Sequence, residues 1–573
     1  MAETSDQTFE KDVVQSDIPV LGKKILIVGG VAGGASCAAR MRRLDESAEI
    51  IMFEKGEYIS FANCGLPYYI GDTIKDRENL IIQTPKKFKD RFNVDVRTNA
   101  EVTAIHPEDK TITVRYGEST TTERYDALVL SPGTSPIRPP LRGIDSPVVF
   151  TLRNIPDTDH IRAYVDRKQA RRAVVIGGGF IGLEMAESLR HRGLEVTLVE
   201  LLDQVFTPAD KEMASVLHQH LTMNGVRLIL GDGVKEILLT GDTSAEVLLN
   251  SGERIPTELI ILSIGVKPDT DFVKKSGIAV SERGAIIVNE HMLTDKPDIY
   301  AVGDAVEVVD FISGKKVQVP LAGPANRQGR IAADNIAGID TVYKNTQGTA
   351  ICKIFDLTAA VTGLNEKNAK RWNIPYVKSY THGSSHASYY PGSFPLSIKI
   401  LFDPKTGKLL GAQVIGKDGV DKRIDVFATA LRHGLTVDDL SELELAYAPP
   451  FGSAKDPVNI AGFVAQNILE GRMPVFYAED VASIDQKTQL ILDVRTNLEN
   501  DQGAIAGSLC IPVDELRTRL AELNKEKEIM VYCQVGLRGY LATRALMQKG
   551  FRAKNLSGGY KTYSNAQTPE KSR

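Results

Sequence analysis

Five cysteines in 573 residues are too few to staple a disulfide-rich secreted fold, so the chain must rely on buried apolar cores. They suit a reducing compartment, where each is either a small buried hydrophobe or a reactive thiol. No run of about 18 apolar residues occurs, which excludes a transmembrane helix as an expectation of the sequence. An excess of one charge sign is missing too. With 69 basic and 73 acidic residues the formal net charge is −4, which speaks against nucleic-acid affinity. Anionic ligands would need local basic pockets. The opening MAETSDQTFEKDVVQSDIPV has neither the basic start nor the apolar stretch of a signal peptide. Residues 1–22 read as a mobile tail before a cytoplasmic enzyme, or as a tag remnant. Low-complexity tracts and short repeats are absent. At roughly 100–200 residues per domain, three to five domains are expected.

What is present is one grammar written twice: an apolar strand, a glycine-rich turn, a helix, and a second strand closed by an acid. The first copy is KKILIVGGVAGGASCAARMRRL with IIMFE ending at Glu54; the second is RRAVVIGGGFIGLEMAESLRHRG with VTLVE ending at Glu200. Two doubly wound dinucleotide-binding domains follow. In the second turn Gly177, Gly179 and Gly182 complete a G-x-G-x-x-G pattern. They permit the tight turn, the approach of a pyrophosphate to the helix end, and close packing of helix on strand. Glu200 can accept hydrogen bonds from both ribose hydroxyls and would repel a 2′-phosphate. NADH is therefore favoured, with NADPH possible. The first turn, Gly29-Gly30-Val31-Ala32-Gly33-Gly34, has Val31 at the second glycine position. It is strengthened by Glu54 and by DKPDIYAVGDA (295–305), a strand that returns to the first domain and aims Asp304 at a ribityl hydroxyl. From about 344 the pattern becomes α+β, with a strand pair around PKTGK (404–408). A linker near 470–480 precedes another compact α/β pattern, TQLILDVR, IMVYCQVG and LSGGY.

GGVAGG, SFANCGLPY, SPGTSP, GGGFIG and IYAVGDA occur in the order found in FAD-dependent pyridine nucleotide–disulfide reductases, and the chain resembles that family over about residues 23–470. SFANCGLPYY, HASYYPG and LAYAPPFGSAKD resemble its coenzyme A–disulfide reductase branch. The C-terminal part resembles a rhodanese domain. The resemblance implies four units: an FAD-binding domain (23–145 and 275–343), an NAD-binding domain (146–274), an α+β dimerisation domain (344–470) and an α/β rhodanese domain (475–573). It implies bound FAD, held by Gly29, Gly30, Ala32, Gly33, Gly34, Glu54, Ser131, Pro132, Gly133, Asp304, Leu321 and Ala322. It makes Cys64 a single redox cysteine, since the Cys pair of the wider superfamily is missing. Cys64 precedes a helix start, which could lower its pKa. Cys37, Cys352 and Cys510 lie in apolar runs and read as inert buried thiols.

The same resemblance places coenzyme A against Ser36, Arg40 and Arg43, which share a helix face, and against Ser60, Asn63, Asn326 and Lys455. Phe92 stands where some single-domain members carry a lysine, so Arg91 would have to supply that charge. Tyr389 and Tyr447 match paired active-site tyrosines that the family takes from the partner of a homodimer, and can protonate a leaving thiolate. In the C-terminal domain, six residues from Cys533 to Arg538 make a cradle of rhodanese length, one shorter than a phosphatase loop. Amides turned inward would surround the sulfur, and Arg538 would add charge and fix the loop. Asp493-Val494-Arg495 and Gly503–Ser508 agree with the rhodanese pattern. The expected enzyme transfers electrons from NADH through FAD and Cys64 to coenzyme A persulfide, polysulfide or coenzyme A disulfide, with sulfur carried by Cys533. An NADH oxidase or peroxidase using a Cys64 sulfenate is one alternative; a redox or sulfur-sensing binding protein is another.

Overall fold

A computed structural model describes residues 22–168 and 170–567. The expected tail, apart from Gly22, and residues 568–573 lie outside the described residues.

The doubled grammar becomes two similar bodies. In the first, five parallel strands run in the order Ile299–Ala301, Ala127–Leu130, Lys24–Val28, Glu49–Phe53, Asp95–Arg97. Lys24-Ile-Leu-Ile-Val is apolar after its first residue because both faces of this central strand are covered. The second body repeats the plan with Val226–Leu230, Glu195–Glu200, Arg172–Ile176, Leu259–Leu262, Val149–Phe150. Each body carries a three-stranded antiparallel meander beside its parallel sheet. The helix Ala32–Leu44 packs along Ala322–Ile336 with backbones nearly touching. A side chain at Gly329 would run into the Gly33 carbonyl.

The third body is a five-stranded antiparallel sheet from Ala350–Ile354 to Val377–Ser384, in which Pro395–Phe402 and Leu409–Gly416 flank the PKTGK turn. The fourth is a parallel sheet ordered Val475–Phe476, Ala553–Leu556, Glu528–Tyr532, Gln489–Asp493, Leu509–Cys510. The linker region thus contributes an edge strand to the last domain.

That last domain is docked. Its helix Gly559–Gln567 packs on Lys211–Met223 of the second body. Tyr380 N–H donates to Ser557 Oγ at 3.3 Å, and His382 Nε2 shares a hydrogen bond with Thr562 Oγ1 at 2.9 Å. Below these contacts lies a buried ionic junction. Lys399 is fully buried among the carboxylates of Asp210, Glu212 and Glu366, and Lys378 bridges Glu366 to Glu479. The three carboxylates around Lys399 have the spacing of a metal site, and the ammonium fills it.

Candidate active site

The two glycine turns are built alike. Gly29 and Gly177 have φ of +94° and +106°, where a side chain would be strained. Their N–H groups donate to Phe53 and Val199 carbonyls, each at 2.8 Å. Glu54 accepts from Gly30 N–H at 2.9 Å and Gly56 N–H at 2.8 Å; Glu200 accepts from Gly178 N–H at 2.6 Å and Leu202 N–H at 2.9 Å. Each carboxylate is fixed at the lip of its turn with lone pairs left for ribose hydroxyls. Gly34 and Gly182 hold the third place, where a Cβ would strike the carbonyl of Gly29 or Gly177. Both are packing glycines rather than ligand-facing ones. Above Gly179 the space is open, so a pyrophosphate can approach the helix Phe180–His191.

A cavity of about 920 Å³ runs from the first turn to Cys64. Its walls include Gly29, Gly30, Ala32, Gly33, Glu54, Ser131, Pro132, Gly133, Asp304, Leu321 and Ala322, and also Ser36, Arg40, Arg43, Ser60, Asn63, Cys64 and Asn326. The amides at the start of Ala32–Leu44, Glu54 and Asp304 form a donor and acceptor set that fits a flavin dinucleotide. Cys64 lies on the turn Asn63–Gly65, just before the helix Leu66–Ile70. The expected lowering of its pKa is not what this setting produces. Cys64 is exposed to the open cavity, yet the protein crowding it on the other sides, then Glu184 and Asp304, push the thiol up. A five-residue helix exerts too little opposing field. Glu184, which sequence reasoning missed, follows Gly182 by two residues. Tyr68 donates to it at 3.2 Å, yet burial raises its carboxyl to about 7.

At the substrate end Ser36 Oγ donates to Asn326 Oδ1 at 2.6 Å, joining the two crossed helices. Arg40, expected to grip phosphate, lies on the cavity wall, and its Nε donates to Asp334 Oδ1 at 2.6 Å, which offsets part of its charge. Arg43 is the exposed cation of that face, and Arg330, one turn beyond Asn326, joins it on the cavity wall. Phe92 lines the wall, whereas Arg91 lies exposed on its helix. Tyr389 and Tyr447 bond to each other through their hydroxyls at 2.9 Å. They stand with Phe451 on an exposed face, Tyr389 at 72% and Phe451 at 69% exposure, beside exposed Lys455.

In the last domain Cys533 is fully buried beneath its loop, and Gly536 N–H donates to its sulfur at 3.1 Å. Among the described residues this is the one amide hydrogen bond on Sγ, fewer than a closed nest would supply. Arg538 forks onto Glu499, Nη1 to Oε2 at 2.7 Å and Nη2 to Oε1 at 2.6 Å, while staying near Cys533. Glu499 was legible only as the last residue of Thr496-x-x-Glu499, a capping box. Arg495 forks onto Asp493 and stacks on Tyr560, bracing the loop through Gln534. Cys37 and Cys352 are buried as expected; Cys510 is not, being half-exposed against Asn497 at 3.5 Å because its strand is the sheet edge.

The pyridine nucleotide-disulphide oxidoreductase family matches residues 23–329. The chain belongs to it. Its dimerisation domain matches residues 349–457, and a rhodanese-like domain matches 478–566. This oxidoreductase is 38% identical over 446 residues to the coenzyme A disulfide reductase of Staphylococcus epidermidis, covering 77% of this chain and 100% of that one. The structure of reduced Bacillus anthracis CoADR-RHD superposes with a TM-score of 0.93 at 52% identity, over 95% of this chain and 98% of that one. A NAD-dependent persulfide reductase from A. fulgidus superposes with a TM-score of 0.88 at 36% identity, over 94% and 100%. The chain is thus a flavin-dependent pyridine nucleotide–disulfide oxidoreductase carrying a rhodanese domain, and the family's FAD and NAD(H) fit the two turns described. Among the described residues no helix is long and apolar enough to cross a membrane.

Proposed function

We propose that this oxidoreductase uses NADH to reduce sulfane sulfur or disulfide carried by coenzyme A, working in the cytoplasm as a homodimer. The observation that supports it best is the shared cavity: one thiol, Cys64, lies in the same space as the first glycine turn and the Ser36, Arg43, Asn326 wall. The unit boundaries proposed are those expected from the sequence.

Bound FAD supplies the two-electron link between nicotinamide and sulfur. The chain's residues do the rest. Glu200 selects the ribose of NADH. Ser36, Asn326 and Arg43 orient the nucleotide part of coenzyme A, while Ser60 and Asn63 guide its arm toward Cys64. The Cys64 thiolate attacks one sulfur of the acceptor, expels a thiolate and is left in an S–S bond. Tyr389 and Tyr447 hold a proton for the leaving thiolate. Their exposure, with that of Phe451 and Lys455, supports a site completed by a second copy. Mixing Cys64→Ser chains with Tyr447→Phe chains should regenerate complete sites; a monomer active at high dilution would reject the dimeric reading. Coenzyme A persulfide, polysulfide, peroxide and oxygen compared as NADH-driven acceptors decide the reaction, and a preference for peroxide or oxygen would overturn it.

A further inference from the structure

One short segment touches both halves of this fusion. Residues 555–562, Asn-Leu-Ser-Gly-Gly-Tyr-Lys-Thr, leave the strand Ala553–Leu556 and enter the helix Gly559–Gln567. On one side they hold the Cys533 loop. Asn555 Nδ2 donates to the Gly536 carbonyl at 3.1 Å, Tyr560 N–H to that of Cys533 at 2.7 Å, and Lys561 N–H to that of Gln534 at 3.0 Å. A trans peptide carries its C=O and N–H on opposite sides. Two carbonyls drawn to the segment therefore turn the Gln534 and Val535 amides away from it, and the loop's shape is set from behind.

On the other side the same residues meet the reductase sheet. Ser557 Oγ accepts from Tyr380 N–H at 3.3 Å. Thr562 Oγ1 shares a hydrogen bond with His382 Nε2 at 2.9 Å, and the other ring nitrogen, Nδ1, is fixed by Ser397 Oγ at 2.9 Å. Ser557 and Thr562 are both buried, so a lost partner is not readily replaced by water. The segment also has no slack across its width. A Cβ on Gly559 would strike the Cys533 carbonyl, and one on Gly558 would strike Tyr380. A shift of the reductase strand is thus felt at the sulfur loop one residue layer away.

We propose that the His382 side chain and the Tyr380 amide position the Cys533 loop for sulfur transfer, acting through residues 555–562, so that the reductase sheet is a working part of the rhodanese site. This rests on reading Cys533 as the sulfur-accepting thiol. With polysulfide as donor, the Cys533 thiolate attacks a terminal sulfur. One donor S–S bond breaks, the shortened polysulfide dianion leaves with the electron pair, and Cys533–S–S⁻ forms. No further oxidant or reductant is needed.

The test uses the full-length holoenzyme with inorganic polysulfide as donor and peptide-mass detection of sulfur added at Cys533, the donor being raised to saturation. Thr562→Val keeps the side chain's shape and removes the bond to His382; Ser557→Ala removes the acceptor of Tyr380 N–H. Each should lower the limiting loading rate by about fivefold, the scale of one net hydrogen bond. The half-saturating polysulfide concentration and NADH-driven flavin reduction should not change. Thr562→Ser, which keeps the hydroxyl, should load like the wild type. Glu479→Gln removes a docking contact made outside residues 555–562 and should leave the rate unchanged. Two variants on separate bonds guard against a folding defect in either. Wild-type limiting rates in both Thr562→Val and Ser557→Ala would overturn the proposal, as would an equal loss in Glu479→Gln or in Thr562→Ser. A wild type that takes no sulfur would refute Cys533 as acceptor, and the positioning role would fall with it.

Discussion

A thiol needs to be a thiolate to attack sulfur, yet Cys64 sits where its charge is disfavoured. Loss of water and the nearby Glu184 and Asp304 carboxylates act in the same direction. We predict that iodoacetamide alkylation of Cys64 rises steadily with pH through the neutral range. Glu184→Gln should move that profile to lower pH by removing a negative neighbour. An unchanged profile would show that Glu184 does not act on the thiol. The proposed site is completed by bound cofactor and a second copy's tyrosines, so the profile should be compared with and without NAD⁺. Single residues differed most in how far they could be read. Cys64 and Cys533 stand inside local motifs. The pairing of Arg40 with Asp334 joins residues 294 apart, and that of Arg538 with Glu499 spans 39. A guanidinium in a motif shows that charge is present; only the fold shows which carboxylate consumes it.

At the scale of elements, the strand–turn–helix–strand units were the most legible part. Their rules are local: a left-handed glycine, a packing glycine and an acid at the next strand end all lie within about 25 residues. The end of Glu195–Glu200 carries a direct prediction. Replacing Glu200 with Arg removes the acceptor fixed by Gly178 and Leu202 and offers charge to a 2′-phosphate. The NADH/NADPH ratio of kcat/KM should fall by tenfold or more, about 1.4 kcal/mol or greater. Steady-state kinetics with both nucleotides measures it, and a wild type that already prefers NADPH would contradict it. Gly182→Ala should be worse for folding than for selectivity, because its Cβ strikes the Gly177 carbonyl. Lower soluble yield, rather than altered nucleotide preference, is the expected outcome.

At the scale of the whole molecule, the domain junction was invisible beforehand, since its partners come from separate units. Lys399→Met would leave Asp210, Glu212 and Glu366 facing one another without their central cation. Removing one partner of such a buried cluster costs about 3–5 kcal/mol, and scanning calorimetry should show a lower first transition. Burial opposes charge on Glu366, but Lys399 and Lys378 overcome this and hold its carboxyl well below the ordinary range. Its contribution is therefore complete above the unfolded carboxyl value of about 4.3 and is lost as pH falls below it. His382 acts earlier. Burial, with Lys561 nearby, lowers its pKa to about 3. The unfolded chain binds that proton from about pH 6.5 downward, so docking stability declines as pH falls from there toward 3. Proteolysis within 470–480 should accelerate across this window, and His382→Gln should flatten the dependence. A pH-independent cleavage rate in the wild type would contradict the assignment.

Along the edge strand Val377–Ser384, the side chains of Lys378 and His382 and the amide of Tyr380 between them meet the rhodanese unit. Portability follows from this. A graft of residues 475–567 onto an unrelated reductase would carry Glu479, Ser557 and Thr562 without their counterparts, and would behave as a tethered passenger. A recipient edge strand given lysine and histidine four residues apart, with a free backbone amide midway between them, would instead offer a matching socket. The transferable part of this fusion is thus a plug with its socket, and chimaeras that move both should keep their orientation where linker-only chimaeras tumble.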